Sequence, residues 1–376
     1  MPRPTFPSHL AAVLPALLVA GCADPVQPPE RSLSPQALEA VSENPGAERE
    51  KLARAVDALF TAEGIGETRA LLVLHAGEVA AERYGEGYGP ETKFLGWSMS
   101  TTVTGVLAGM MVADGRLRLD DSPPLPRWQR AGDPRAEITL RQLLQMRSGL
   151  RHEEKAEPVY TSPEVRMMFL DGRDDMAGWA EAQPLEHEPG REFDYSTPTA
   201  VILADIAARV LAPEGGADER QAATADYLQA RLAVPLGMDS LTAEYDRAGT
   251  MMGGSMVWAT APDWGRFGEF LRHKGSVRGV QVVPRGWIEF MAAPSPRAPD
   301  YGAMLWLNRD SGGTREMLFP DEGPADLFGA IGHLGQYVLV SPSRKLTVVR
   351  LGKTDQEDRA ALVNKLAKIV ALYSRS

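Results

Sequence analysis

The sequence predicts an α+β fold, with an antiparallel sheet drawn from the N- and C-terminal segments, flanking helices and a helical lobe between them. Three observations predict it. Short apolar runs of strand character lie only near the two ends, at 70–84 and 301–351. Residues 98–249 alternate helix-period segments with Gly and Pro breaks. No internal repeat is visible that would indicate a solenoid. The resulting boundaries are a leader at 1–21, a disordered tether at 22–45, and one domain at 46–376. Within that domain the sheet part covers about 46–97 and 250–376, and the lobe about 98–249.

Composition sets the outer limits. The chain has 376 residues, 44% hydrophobic and 24% charged, which suits a globular protein with a full-size core. The net charge of −10 argues against nucleic acid as a partner, because phosphate binding needs a basic face.

Arg3 and His9 precede the apolar run Leu10–Ala20, which is shorter than the ~20 residues of a membrane span. Val19–Ala20–Gly21–Cys22 follows, and Cys22 is the only cysteine, so no intramolecular disulfide is possible. Residues 23–45 are rich in Pro, Ser, Glu and Gln without an apolar period, as in a tether. Leu52, Val56, Leu59 and Phe60 repeat at helical spacing through 47–63, and Gly64 and Gly66 end that helix. The runs 70–75 and 79–84 read as a hairpin.

Met99, Val103, Val106, Leu107 and Met110 then line one helix face, with Ser98 at the helix start. Thr139 is placed to cap a helix through Met146. Residues 151–189 are polar, with short helical pieces. Glu188–Pro189–Gly190 breaks the chain before helices at 200–211 and 222–236. A helix at 262–273, strands at 301–308, 335–340 and 347–351, and a last helix at 360–373 complete the series.

A serine at a helix start either caps the helix or serves as a nucleophile. In hydrolases with a Ser-x-x-Lys motif, a lysine one turn later takes the serine proton. Here that position holds Thr101, whose hydroxyl is no base at neutral pH. Lys93 lies on the approach strand, and 102 and 105 are Thr and Gly, so no neighbour replaces the base. The histidines at 75, 152, 187 and 273 and the pair Glu153–Glu154 show no zinc-ligand spacing and read as solvated surface. Trp258, Trp264 and Trp306 read as core, with the lining of a pocket as the alternative. No metal and no cofactor is expected.

Several spaced motifs occur in one order. They are Gly96–Trp97–Ser98–Met99, then Asp114–Gly115 with Leu117, Leu119, Asp120 and Asp121, then Ile138–Thr139–Leu140 through Ser148–Gly149–Leu150. Glu188–Pro189–Gly190 with Phe193, Tyr195, Ser196 and Thr197 follows, then Pro235–Leu236–Gly237–Met238 and Gly332–His333–Leu334–Gly335–Gln336. This pattern resembles the serine β-lactamase/penicillin-binding-protein superfamily over about 48–371. The similarity is to its class C-like branch of esterases, D-aminopeptidases and 6-aminohexanoate-dimer hydrolases. Val19–Cys22 resembles the lipobox of bacterial lipoproteins, which makes Cys22 the lipidation site.

The resemblance implies a β-lactamase/transpeptidase-like fold with Ser98 as nucleophile, Tyr195 as the lobe tyrosine and Thr101 at the position of the family lysine. It implies that His333–Leu334–Gly335 lies on the strand bordering the site. It further implies that the backbone N–H groups of Gln336 and Ser98 form the oxyanion hole, and that glycines 332 and 335 admit a ligand backbone. The expected function is hydrolysis of an ester or amide through an acyl-enzyme, impaired by Thr101. The alternative is an inactive envelope lipoprotein that binds a peptide or glycan. A β-lactamase proper is disfavoured, because Thr101 and Thr197 replace its Lys and Asn. The expected partners are a small-molecule or peptide substrate, with membrane contact through the lipid anchor only. The expected location is the bacterial cell envelope, facing the periplasm or exterior.

Overall fold

The computed structural model describes residues 1–2 and 33–374, apart from 153, 155 and 314. The leader, Cys22 and the first part of the tether lie outside the described residues.

Residues 33–45 correct the expected tether. Ser34 caps α1 (Pro35–Glu39), accepting from the Ala37 N–H, and Ala37 is buried. The Arg49 guanidinium, from α2 (Arg49–Thr61), gathers the carbonyls of Leu38, Val41 and Ser42. Val41 is buried and bridges Ala81. A stretch with no apolar period of its own is thus held by one distant cation and two small buried side chains.

Leu52, Ala53, Val56 and Leu59 form the buried face of α2, as the sequence pattern predicts. The hairpin of β1 (Glu67–His75) and β2 (Glu78–Tyr84) turns at Ala76 and Gly77, with φ of 53° and 91°. Two left-handed residues match the twist of the flanking strands. Next, β3 (Lys93–Leu95) delivers the chain to α3 (Met99–Ala113). The lobe holds α4 (Leu140–Leu144), α5 (Pro163–Phe169), α6 (Met176–Glu181), α7 (Thr197–Leu211), α8 (Ala217–Leu228) and the short α9 (Val234–Leu236). After β4 (Thr242–Ala243) and β5 (Val257–Thr260) comes α10 (Ala261–Arg272), then β6 (Ser276–Val277), β7 (Val280–Gln281) and α11 (Arg285–Met291). The chain closes with β8 (Trp306–Leu307), β9 (Phe328–Gly332), β10 (Gln336–Ser341), β11 (Leu346–Lys353) and α12 (Arg359–Ala371).

The main sheet runs β2-β1-β11-β10-β9-β8, and its pairs are antiparallel. Pairing of β1 with β11 joins the two ends of the fold, as the sequence pattern implies. Helices α2 and α10 both pack on β1, so Leu71–Val73 reads as a continuous buried run rather than an alternating one. The small sheet β3-β5-β4 anchors the approach to α3.

Two expectations differ in detail. The run 301–308 is a bridge between Tyr301 and Trp306 plus the two-residue β8, and β9 was not anticipated. Helix α3 is buried from Met99 through Met111 rather than along one face, because it packs on α7, β9 and β10 together. It is the hinge of both parts, not a member of the lobe alone.

Candidate active site

The serine stretch is held at unusual tension. The Gly96 N–H donates to the Val257 carbonyl at 2.8 Å, continuing the small sheet. Trp97 then takes φ 48°, a left-handed conformation that costs a bulky residue about 1–3 kcal/mol. Its ring meets the His333 ring edge-on at 5.2 Å. A Cβ at Gly332 would stand 2.2 Å from the Gly96 carbonyl oxygen, so glycine alone allows the end of β9 this close. Ser98 is already helical, at φ −65° and ψ −5°, and its side chain makes no capping bond.

The other hydroxyls of this stretch are engaged. Ser100 accepts from the Val257 N–H at 3.1 Å, while Thr102 and Thr104 donate to the carbonyls of Met304 and Gly253. Thr101 donates to the Ser98 carbonyl at 2.8 Å. The Ser98 hydroxyl, half-buried, instead faces the Tyr195 hydroxyl.

Tyr195 is set by its neighbours in sequence and in space. Ser196 is extended, accepts from the Thr199 N–H as cap of α7, and bonds the His152 ring. His152 was expected at the surface, but it is 1% exposed and lies 3.1 Å from the Ala180 carbonyl through Nε2. Burial pushes its pKa down to about 4, so it is a neutral brace. The Tyr195 ring stacks on Trp306 at 5.3 Å and meets Tyr301 edge-on at 5.9 Å. Trp306 is buried in the core, as expected, and its ring also backs Tyr195. The Tyr195 hydroxyl is buried without a well-formed hydrogen bond. Burial, then the Glu154 charge, pushes its pKa above the ordinary 10.

Around Thr101, where a family lysine would bring positive charge, the surroundings are acidic and phenolic. The hydroxyls of Tyr195 and Tyr301 both face Thr101. Glu154 accepts from the Thr197 hydroxyl at 2.6 Å and its N–H at 3.1 Å, and Glu164 lies 3.3 Å from the same hydroxyl. Burial holds the protons of both above the usual carboxylate range, and the Glu164 charge raises Glu154 further. Glu154 was expected on a solvated surface; its partner in that expectation, Glu153, lies outside the described residues. Lys93 is spent on Thr242 at 2.8 Å, at the exposed edge of the small sheet.

The His333–Leu334–Gly335 motif corrects another expectation. It is the turn joining β9 to β10, not part of a strand, because Leu334 and Gly335 are left-handed at φ 57° and 77°. His333 is exposed, and partial burial followed by the Arg359 charge lowers its pKa below 6.5, so it is neutral at pH 7. The space at Gly335 belongs to Arg350, which donates to the Gly335 carbonyl at 2.9 Å. The Gln336 side chain donates to the His333, Leu334 and Gly352 carbonyls and accepts from the Gly352 N–H. It braces the hairpin. The hairpin meets the serine stretch through Gly332 and His333, and Gly329 of β9 pairs with Trp306 beneath Tyr195.

The beta-lactamase family model matches residues 55–372, which is most of the chain. The chain belongs to the beta-lactamase family.

Among curated proteins, the 6-aminohexanoate-dimer hydrolase of Paenarthrobacter ureafaciens is 27% identical over 61% of this chain. The match spans 58% of that protein's length. Solved structures of the same fold include a penicillin-binding-protein homologue from Caulobacter crescentus, at 17% identity and TM-score 0.61 over 87% of this chain and 98% of that one. A D-stereospecific amidohydrolase from Streptomyces has 18% identity and TM-score 0.57 over 83% of this chain and 98% of that one.

In this beta-lactamase-family chain, sequence order alone places Ser98, Thr101 and Tyr195. Tyr301, Trp306, Glu154 and Glu164 had no local signal. Tyr301 and Trp306 meet the Tyr195 ring, and Glu154 and Glu164 meet Thr197, only through folding.

A second acidic cluster lies within the lobe, between α6 and α7. Glu181 at the end of α6 is 3% exposed, and burial followed by the Asp205 carboxylate pushes its pKa up to about 8. An acid whose pKa is raised on folding contributes stability that is full below its unfolded value near 4.5. That stability is lost as pH rises through about 8. The thermal midpoint is therefore expected to fall from pH 5 to 8, and Glu181→Gln should reduce that slope. Calorimetry across this range measures it, and an equal slope in the variant refutes it.

Proposed function

We propose that the protein is a serine hydrolase acting through an acyl-enzyme at Ser98 on a small ester or amide, or a peptide. One observation carries this reading. The Ser98 hydroxyl, placed after a left-handed Trp97, is not spent on a helix cap and faces a Tyr195 hydroxyl with no good partner of its own. The hydrolase and amidohydrolase named above support acyl transfer as the chemistry. Esters are the favoured substrates, because loss of a general base typically costs about 10²–10⁴-fold and an amide leaves poorly.

Labelling with a fluorophosphonate and with a penicillin probe, beside turnover of a p-nitrophenyl ester, tests the proposal. Labelling at Ser98 supports it. Absence of labelling together with thermal stabilisation by a peptide or glycan favours the inactive binding protein instead.

Restoring the family lysine has a definite expected result. Thr101 is 3% exposed and covered by two phenols, so Thr101→Lys overpacks the site and costs about 1–3 kcal/mol. No gain in ester turnover is expected. A gain above about tenfold would mean that the lysine alone was missing.

Placement in the cell envelope rests on Cys22 and its lipobox-like context. Among the described residues no helix is long and apolar enough to cross a membrane. Metabolic labelling with palmitate is expected in the full chain and lost in Cys22→Ser; equal labelling of both would remove this placement.

A further inference from the structure

Tyr195 lies on a stretch without helix or strand, and Tyr301 makes a single bridge to Trp306, so side-chain contacts have to place both rings. The backbone on either side of Tyr195 is fixed: the Asp194 N–H donates to the Met146 carbonyl at 2.9 Å, and Ser196 caps α7. The ring itself belongs to a cluster of aromatic side chains. Trp306 stacks on Tyr195 at 5.3 Å and meets Tyr301 edge-on at 4.8 Å, and the Phe193 ring lies 5.2 Å from that of Tyr301. Trp306 is held by β8, where it pairs with Gly329 of β9. Phe193 stands on the same irregular stretch as Tyr195 and has no strand to hold it.

An arginine distant in sequence reaches that end of the cluster. The connection 308–327 between β8 and β9 carries no helix or strand, and connections of such length in a compact fold are usually functional. Within it the Ser311 hydroxyl donates to the Arg315 carbonyl at 2.7 Å and accepts from the Arg315 N–H at 2.8 Å, which fixes the arginine's backbone. The Arg315 guanidinium donates to Asp300 twice, through Nε at 2.9 Å and Nη2 at 2.6 Å, and its Cζ lies 4.8 Å from the centre of the Phe193 ring. Asp300 is 3% exposed and directly precedes Tyr301. A cavity of about 330 Å³ lies between this connection and α12, lined by Leu307, Met317, Ala360 and Val363 together with Asp300 and Arg315. Packing beside the arginine is therefore incomplete, which leaves the ion pair and the ring contact to hold it.

We infer that Arg315 is a positioning residue for Tyr195: it clamps Asp300 and Phe193 together and so fixes the Tyr301 ring that meets Tyr195 edge-on. The inference rests on the acyl-enzyme reading above, in which the Tyr195 hydroxyl serves Ser98, and deepens it. Arginine suits the task, because its planar fork matches a carboxylate at two points while the same plane lies against an aromatic ring. Proton transfer between two hydroxyls needs their oxygens within hydrogen-bond reach, so displacing the phenol by about 1 Å costs about 10²-fold in rate.

The test is single-turnover acylation of the full-length protein by p-nitrophenyl acetate at neutral pH, with thermal midpoints measured alongside. Arg315→Met should lower the acylation rate constant by about 10²-fold and leave the half-saturating ester concentration unchanged. Its midpoint should fall, because Asp300 keeps a buried charge without its cation. Adding Asp300→Asn removes that charge, so the midpoint should recover while the rate stays low. In a Tyr195→Phe background, Arg315→Met should cost less than about threefold more, since the hydroxyl it positions is already gone.

Arg315→Met with the wild-type rate constant overturns the inference, whatever happens to half-saturation. So does a rate that recovers with the midpoint in Arg315→Met/Asp300→Asn, which makes the arginine structural. An undiminished loss in the Tyr195→Phe background overturns it too, because the arginine then acts elsewhere. If Tyr195→Phe is acylated at the wild-type rate, the positioning inference fails and the serine reading stands. If Ser98→Ala is acylated as fast as wild type, or wild type is not acylated, both fail.

Discussion

Ser98→Ala is expected to abolish covalent labelling and to lower ester turnover by at least about 10³-fold, leaving the fold intact. The serine contributes little that an alanine would lose structurally. Its hydroxyl makes no capping bond to α3, and the helix is anchored by Ser100, Thr102 and Thr104, whose side chains reach Val257, Met304 and Gly253. Had Ser98 been a working N-cap, the substitution would cost about 0.5–2 kcal/mol. The expected result is therefore lost chemistry with a thermal midpoint close to wild type. A lowered midpoint with turnover retained would return Ser98 to a capping role. The strained Trp97 belongs to the same argument, since the left-handed residue stands directly before a serine whose side chain does not bond back to its own helix.

Tyr195→Phe should lower turnover by about 10²–10⁴-fold while leaving stability unchanged or slightly raised. The ring is the structural part of this residue: it stacks on Trp306 and meets Tyr301 edge-on, and phenylalanine keeps both contacts. The hydroxyl is buried without a well-formed bond, and such a group costs about 1–3 kcal/mol. Removing it relieves that cost. Burial and the Glu154 charge raise its pKa above 10, so it does not stand ready as a phenolate at neutral pH. Under the proposed function, its use is to pass a proton. Turnover at the wild-type level in Tyr195→Phe would exclude that use, whatever the midpoint does.

These expectations run opposite to those for a structural residue, and this separates the site from its scaffold. Arg350 illustrates the contrast. Fully buried, it donates to the carbonyls of Glu67 and Gly335 and to the Thr68 hydroxyl, joining β1 and β11 to the turn after β9. Gln336 braces the same turn with four side-chain bonds to backbone groups. Family order marked the Gln336 backbone N–H for the site; the side chain of the same residue is spent on holding the hairpin.

The hairpin, the α2 pattern, the serine helix and the sheet joined from both chain ends were all legible in the sequence. Each depends on local periodicity, on turn residues, or on spacing along a short segment. The order of motifs was enough to single out Ser98, Tyr195 and the departure at Thr101. Three expectations failed, two because a side chain or helix end outside the segment overrode the local pattern and one through the backbone of the motif itself. Arg49 ordered residues counted as tether and the helix start at Thr197 drew Glu154 out of the surface, while the left-handed Leu334 and Gly335 made the His333 motif a turn.

By itself the sequence determined the fold class, the position of the serine at the start of its helix, and the loss of the lysine one turn later. Whether that serine is bound as a cap or free, and what stands around Thr101 in place of a cation, only the tertiary structure decided. Helical and strand periods are written in neighbouring residues. The meeting of Thr101, Tyr195 and Tyr301, and of Glu154 with Thr197, depends on chain crossings that leave no mark at any one position.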